Sequence, residues 1–139
     1  YDTLEALKEA FGADPFVLKT APEGLKDTTY TLISGSGKED AVAEVVYTTE
    51  AGEIMLRCAS KEMGEEITGV YGVADKYHAV KGLNSAIQCG ETKNVDGSVI
   101  RVAYGYVASL GMTFSVACED GCTEDAFHAL LATIPEFAA

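Results

Sequence analysis

Apolar and polar residues alternate most regularly in the last third of the chain. From Ser98 to Tyr106 and from Leu110 to Cys118 the period is two, the repeat of a β-strand whose side chains point alternately to opposite faces. Ile100, Val102, Tyr104 and Tyr106 form one row, against Val99, Arg101, Ala103 and Gly105. Leu110, Met112, Phe114, Val116 and Cys118 form the next, against Gly111, Thr113, Ser115 and Ala117. An apolar row beside a small or polar one predicts an antiparallel sheet covered on one side. The period then becomes helical from Thr123 to Ile134, where Phe127, Leu130, Leu131 and Ile134 recur on one face. Thr123 suits the N-cap, Glu124 and Asp125 suit the positive end of the helix dipole, and Pro135 ends the element. This helix is expected to supply the sheet's cover.

The same reading extends to the rest of the chain. Asp2 is placed to cap a first helix, with Glu5 three residues on, an apolar stripe of Leu4, Leu7 and Phe11, and Gly12 as the left-handed stop. Pro15 to Thr20 reads as a short extended run bounded by Pro22 and Gly24. Thr28 to Ile33 reads as a strand followed by a turn over Ser34 to Lys38. Ala41 to Thr49 and Glu53 to Ala59 form a hairpin around Glu50, Ala51 and Gly52. Ser60 to Gly72 is polar and irregular, a long connection with room for one helical turn. Asp75 to Val80 and Asn84 to Gly90 predict a third hairpin around Lys81 to Leu83, and Asn94 to Gly97 turns into the last one. A helix, about seven or eight mostly antiparallel strands and a closing helix define an α+β fold, a sheet with an N-terminal and a C-terminal helix packed on it.

Length and charge narrow the function. At 139 residues and 47% hydrophobic the chain is expected to be one domain, 1–139, able to bury a core without staples. A net charge of -12, with Arg57 and Arg101 the only arginines, argues against nucleic acid, whose phosphates need clustered cations. The same charge disfavours an anionic membrane surface, and no apolar run approaches the roughly 20 residues of a spanning helix, so the chain is expected to be soluble. It begins at Tyr1 rather than Met, so a mature or trimmed fragment is expected, with a signal or anchor upstream.

Cys58, Cys89, Cys118 and Cys122 are the first candidates for special chemistry. Cys58 and Cys89 fall on apolar strand faces, whereas Cys118 and Cys122 flank Glu119, Asp120 and Gly121 just before the last helix. The preferred disulfides are Cys58 with Cys89 and Cys118 with Cys122, given an oxidising compartment; buried free thiols acting as small hydrophobes are the alternative. A zinc site is disfavoured because only the last two cysteines are close in sequence. A reactive thiol at Cys122 is disfavoured by the carboxylates Glu119, Asp120, Glu124 and Asp125 around it.

The remaining titratable residues form no complete motif. His78 and His128 have no nucleophile beside them in sequence, so rim or strand positions are expected; a small hydrolase using either would need a spatial arrangement that the sequence does not display. Glu62, Glu65 and Glu66, and Glu39 with Asp40, lack the ligand spacing of a calcium loop and read as solvated surface. Gly35 to Lys38 resembles part of a phosphate loop but lacks its first glycine and a following helix, and reads as a hairpin turn. Arg57 and Arg101 sit mid-strand, where pairing with a carboxylate across the sheet is the ordinary use. The functional alternative is a binding face on an open sheet surface, made by Arg57 and Arg101 with Tyr47, Tyr71 or Tyr77. No cofactor or metal is expected.

Three segments carry a resemblance. They are Ala43-Glu44-Val45-Val46-Tyr47 with Gly52 and Ile54-Met55-Leu56-Arg57; Val80-Lys81-Gly82 with Ala86-Ile87-Gln88-Cys89-Gly90; and Met112-Thr113-Phe114-Ser115 before Thr123-Glu124-Asp125-Ala126-Phe127. In this order, over Phe16 to Ile134, the chain resembles a bacterial family of extracytoplasmic domains of unknown function, found mainly in Gram-positive organisms beyond a single membrane-spanning segment or lipoprotein anchor. The resemblance implies a cell-envelope or secreted setting and supplies no catalytic residues. The expected function is a non-enzymatic binding or sensory module for a protein, peptide or small ligand. A small hydrolase using His78 or His128 and a purely structural envelope module are the alternatives. A continuous apolar groove would favour binding; a histidine beside a serine or cysteine and a carboxylate would favour the hydrolase.

Overall fold

The elements, in chain order, are α1 (Leu4–Phe11), β1 (Leu25–Ile33), β2 (Val42–Thr49), β3 (Gly52–Ala59), a 3-10 helix (Glu65–Thr68), β4 (His78–Ala79), β5 (Gln88–Lys93), β6 (Val99–Val107), β7 (Met112–Cys118) and α2 (Glu124–Ala132). They come from a computed structural model in which residues 1–33, 41–70, 73, 77–119 and 122–138 are described. The expected Ser34 to Lys38 turn, Glu39, Asp40 and Tyr71 lie outside those residues. The strands form one antiparallel sheet in the order β1-β2-β3-β7-β6-β5-β4, so the fold is α+β. Local hairpins account for most neighbours. The exception is β3 beside β7, a long-range pairing with Ile54 opposite Cys118 and Arg57 opposite Ser115.

Both helices carry the caps that their termini need. Thr123 sits in extended conformation and its hydroxyl accepts from Ala126 N at 3.1 Å, as expected. At α1 the cap is Thr3 rather than Asp2: the Thr3 hydroxyl accepts from Ala6 N at 3.1 Å, which shifts the helix start by one residue and leaves Glu5 out of a capping box. Gly12 closes α1 in the left-handed conformation, its N–H donating to Lys8 O at 2.8 Å.

Several boundaries differ from the sequence reading: β1 starts at Leu25 rather than Thr28, and β5 runs on to Lys93 rather than ending at Gly90. β7 starts at Met112 rather than Leu110 because residues 108–111 turn, with Leu110 N donating to Val107 O and Gly111 at φ 65. The third hairpin shrinks to a two-residue β4, Ala79 opposite Gln88, because residues 80–87 form successive turns that hold the C-terminal segment: Asn84 N donates to Phe137 O, and Leu83 bridges Ala138.

The sheet is covered on both faces, which corrects the one-sided expectation. Leu7 and Phe11 of α1, Phe127 and Leu131 of α2, and Phe16, Ile134 and Phe137 pack on the face carrying Val45, Leu56, Cys58, Ala103, Phe114 and Val116. The small row of β6 therefore lies under the helices. A side chain at Gly105 would overlap the Ala86 carbonyl, so the bulk at this point comes from elements above the sheet rather than from β6. The apolar row of β6 faces the other way. Val102 packs with Ala117, Met55 and Val73, and Tyr104 meets Tyr77 edge to face at 4.9 Å.

That second cover is the connection after β3, where the expected helical turn is present as the 3-10 helix. Buried Ile67 joins Val42 and Ala59 beneath it. Thr113, fully buried, pins its start: the Thr113 hydroxyl donates to Lys61 O at 2.6 Å and accepts from Met63 N at 2.9 Å. No helix among the described residues is long and apolar enough to cross a membrane.

Candidate functional site

An apolar concavity with a charged rim forms where the end of β7 meets the start of β3. Backbone bonds build its frame. Glu119 N donates to Glu53 O at 3.0 Å and extends the β3–β7 ladder by one step, while Glu50 N donates to Gly24 O at 3.1 Å and holds residues 22–24 against the β2–β3 turn. Within that turn the Thr49 hydroxyl donates to Gly52 O at 2.7 Å and accepts from Ala51 N. α2 closes the remaining side. The hollow has a volume of about 190 Å³ and is walled by Pro22, Ile54, Cys118, Cys122, Ala126 and Leu130. This is more than the roughly 150 Å³ that suffices for a benzene-sized guest.

Three carboxylates, Glu23, Glu53 and Glu119, stand at this hollow, and no lysine or arginine lines it among the described residues. Pro22 and Leu130 also line a second hollow of about 400 Å³, between Val17–Pro22 and Thr133–Glu136. Glu53 and Glu119 likewise border a third, of about 360 Å³, on the opposite sheet face against Met55, Val70 and Ile100. The shared residues make the three hollows neighbours, together called the groove: one along α2, one at the carboxylates of the sheet end and one on the second face.

All four cysteines are free thiols. The expected Cys58–Cys89 disulfide is excluded by strand order: β7 and β6 intervene between β3 and β5, so the two lie three strand spacings apart, about 14 Å, where a disulfide needs Cα atoms within about 7 Å. Burial pushes the Cys58 thiol up to about 12, a backbone bond at Phe16 offsetting part of it. Burial likewise pushes Cys89 up to about 11. Both are small core hydrophobes. Cys118 and Cys122, the other expected disulfide, are free thiols but close neighbours: burial, followed by the adjacent Cys122, raises the pKa of Cys118. Cys122 is half-exposed.

The proposed arginine and tyrosine face is not one surface. Arg57 shares the second face with Glu44, its cross-strand neighbour, and its Nε and Nη2 contact Glu44 Oε2 at 2.8 and 2.7 Å while Nη1 donates to Ile67 O. Arg101 lies on the helix face opposite Cys118. Its Nε donates to Cys122 O at 3.0 Å and its Nη1 to Glu91 Oε1 at 3.1 Å, with Glu124 at 3.9 Å. Each arginine thus fastens a covering segment to the sheet, the first the 3-10 helix and the second the start of α2. Tyr47 is buried on the helix face, its hydroxyl accepting from Leu18 N at 3.0 Å. Tyr77 packs on Tyr104 on the second face. The buried Tyr77 hydroxyl has no hydrogen-bond partner among the described residues.

The two histidines do converge. His78 is paired in register with Cys89, and both flank a cleft with Glu91, Arg101, Glu124 and His128. Its volume, about 20 Å³, admits one water. Cys89, raised to about 11, is a neutral thiol at pH 7 and so a poor nucleophile. Among the described residues no group of three or more His, Cys, Asp or Glu side chains could hold a metal ion.

Comparison with family models, with curated proteins and with solved structures returns no match. The groove therefore rests on its own geometry. Its charged residues, Glu23 and Glu53, went unnoticed in the sequence because the site is assembled across the β3–β7 pairing. The available signal was the register itself: once Cys118 is set opposite Ile54, Glu119 and Glu53 become neighbours.

Proposed function

We propose that this domain is a non-enzymatic extracytoplasmic binding module whose ligand is an extended peptide with apolar anchor residues and basic side chains. The observation that carries this reading is the row of neighbouring apolar hollows with Glu23, Glu53 and Glu119 at its centre and, among the described residues, no cation lining that centre. Apolar walls supply burial, and the carboxylates select a partner of opposite charge. Glu53 and Glu119, bonded through their backbones, place two like charges side by side. A lysine or arginine bound between them would relieve that repulsion. The extracytoplasmic setting follows the family resemblance.

A fluorescein-labelled peptide of alternating leucine and lysine tests the reading by anisotropy, with the glutamate-for-lysine peptide as control. The lysine peptide is expected to bind and the control not to. Replacing Glu23, Glu53 and Glu119 together by Gln removes three exposed pairings of about 0.5 kcal/mol each and should weaken binding roughly tenfold. Equal binding of both peptides, or an unaffected triple variant, would refute the assignment.

A second reading has one observation in its favour, the joint placement of His78, His128, Cys89 and two carboxylates expected of a small hydrolase. The neutral Cys89 thiol and a cleft with room for only one water weigh against it.

A further inference from the structure

We propose that Cys118 and Cys122 form a reversible dithiol–disulfide couple whose state sets the width of the groove. The inference concerns the regulation of the site described above and rests on that reading for its ligand consequence, but not for its chemistry. Three features of the structure meet here. The two thiols are unbonded neighbours, close enough for Cys122 to act on Cys118. Both line the 190 Å³ hollow, so a change in their separation moves its wall. They also belong to different elements: Cys118 ends β7, whereas Cys122 immediately precedes Thr123, the cap of α2.

Accessibility gives the couple a direction. Cys122 is half-exposed, whereas Cys118 is 2% exposed, so an external oxidant meets Cys122 first. With a small disulfide as oxidant, the Cys122 thiolate attacks one sulfur and expels one thiolate, leaving a mixed disulfide on Cys122. The buried Cys118 thiol then passes its proton to the departing thiolate as its sulfur attacks Cys122 Sγ, which forms the internal disulfide and releases the second small thiol. The protein loses two electrons and two thiol protons; the oxidant gains the electrons, and its first thiolate takes up a proton from solution. Cys58 and Cys89 take no part, being buried in the core on other strands.

Oxidation brings the two sulfurs to about 2.05 Å of each other. The start of α2 is thereby drawn toward β7, since Arg101 already fastens Cys122 O to the sheet at 3.0 Å and leaves Cys122 little freedom to move outward. Ala126, one turn along α2, and Ile54, opposite Cys118, form the walls that close.

The test equilibrates the whole domain with oxidised glutathione, blocks residual thiols under denaturing conditions and maps the products by mass spectrometry, with methyl NMR of Ile54 and Ala126 in parallel. A Cys118–Cys122 link, alkylated Cys58 and Cys89, and shifted methyl signals that return on reduction are expected. Cys118→Ala should stall with glutathione on Cys122. Should that variant fail to fold by its amide spectrum, the half-exposed site offers Cys122→Ser, which should take up no glutathione. A wild-type protein that stops at a glutathione adduct, a link to Cys58 or Cys89, or unmoved methyl signals in the linked protein would overturn the proposal. Failure of the reduced protein to bind the lysine peptide would remove the peptide reading alone, because the link and the methyl shifts are read without ligand.

Discussion

Val102→Ala tests whether the second sheet face is a true interior. Val102 is fully buried and packs with Val73, Ala117, Met55 and Ile100 beneath the connection that follows β3. The substitution deletes two methyl groups, about 1.6 kcal/mol of transfer free energy. Incomplete collapse of the site adds about 1 kcal/mol, for a total of 2–3 kcal/mol. In a chain of 139 residues each kcal/mol moves the thermal midpoint by roughly 3–4 °C, so a drop of about 8 °C is expected. Urea unfolding followed by circular dichroism should show a lower midpoint with an unchanged slope. Val95→Ala, at a side chain fully open to solvent, is the matched control and should stay within about 0.5 kcal/mol. If Val102→Ala costs no more than Val95→Ala, the connection does not seal this face and the two-sided architecture is wrong.

Two further outcomes follow from packing and titration. Gly105→Ala should destabilise by about 1–3 kcal/mol in the same urea assay, because its Cβ would collide with the Ala86 carbonyl and lie 2.7 Å from Ile87 Cδ1; an unchanged midpoint would mean that the 84–87 turn yields freely. Stability should also fall at alkaline pH. Cys58 and Cys89 have folded values of about 12 and about 11 against an ordinary 9.0, so the unfolded thiols lose their protons first. Their contribution is complete below about pH 9 and shrinks as pH rises toward the folded values, by up to about 1.4 kcal/mol per pH unit for each thiol. Urea midpoints measured across that window should decline less steeply for Cys89→Ala than for the parent, and parallel declines would contradict the assignment.

How much was legible in the sequence depended on how local the cause was. The hairpins around Gly52 and before β6, the cap at Thr123 and the stop at Gly12 are decided by a few adjacent residues, and the structure keeps them. Alternation separated Val102 and Tyr104 from Ala103 and Gly105 correctly. It carries no information on which row meets the helices, and here the smaller row does because Ile87 and the 84–87 turn occupy the space above Gly105. Strand order was equally hidden. Cys58 and Cys89 both read as inward-facing, yet the insertion of β7 and β6 between their strands separates them, whereas Cys118 and Cys122 needed only the short corner between them. Arg57 and Arg101 met the carboxylates expected of mid-strand arginines, and since the two lie on opposite faces that pairing also dissolves the binding surface they were thought to share.

The location of the groove has a physical reason. An interior of this composition closes wherever apolar rows can interdigitate, so a hollow persists only where backbone bonds hold its walls apart. Here the walls are set by bonds that side-chain packing cannot easily shift: Glu119 N to Glu53 O, Glu50 N to Gly24 O, the Thr123 cap on α2 and Arg101 to Cys122 O. Three of these four involve the corner between β7 and α2 or the strand end paired with it. At this corner a change of covalent state at Cys118, next to Glu119, would be felt directly by a ligand. Cys58 and Cys89, whose thiols burial keeps protonated, lie within the packed core, and the cleft beside Cys89 has room for only one water.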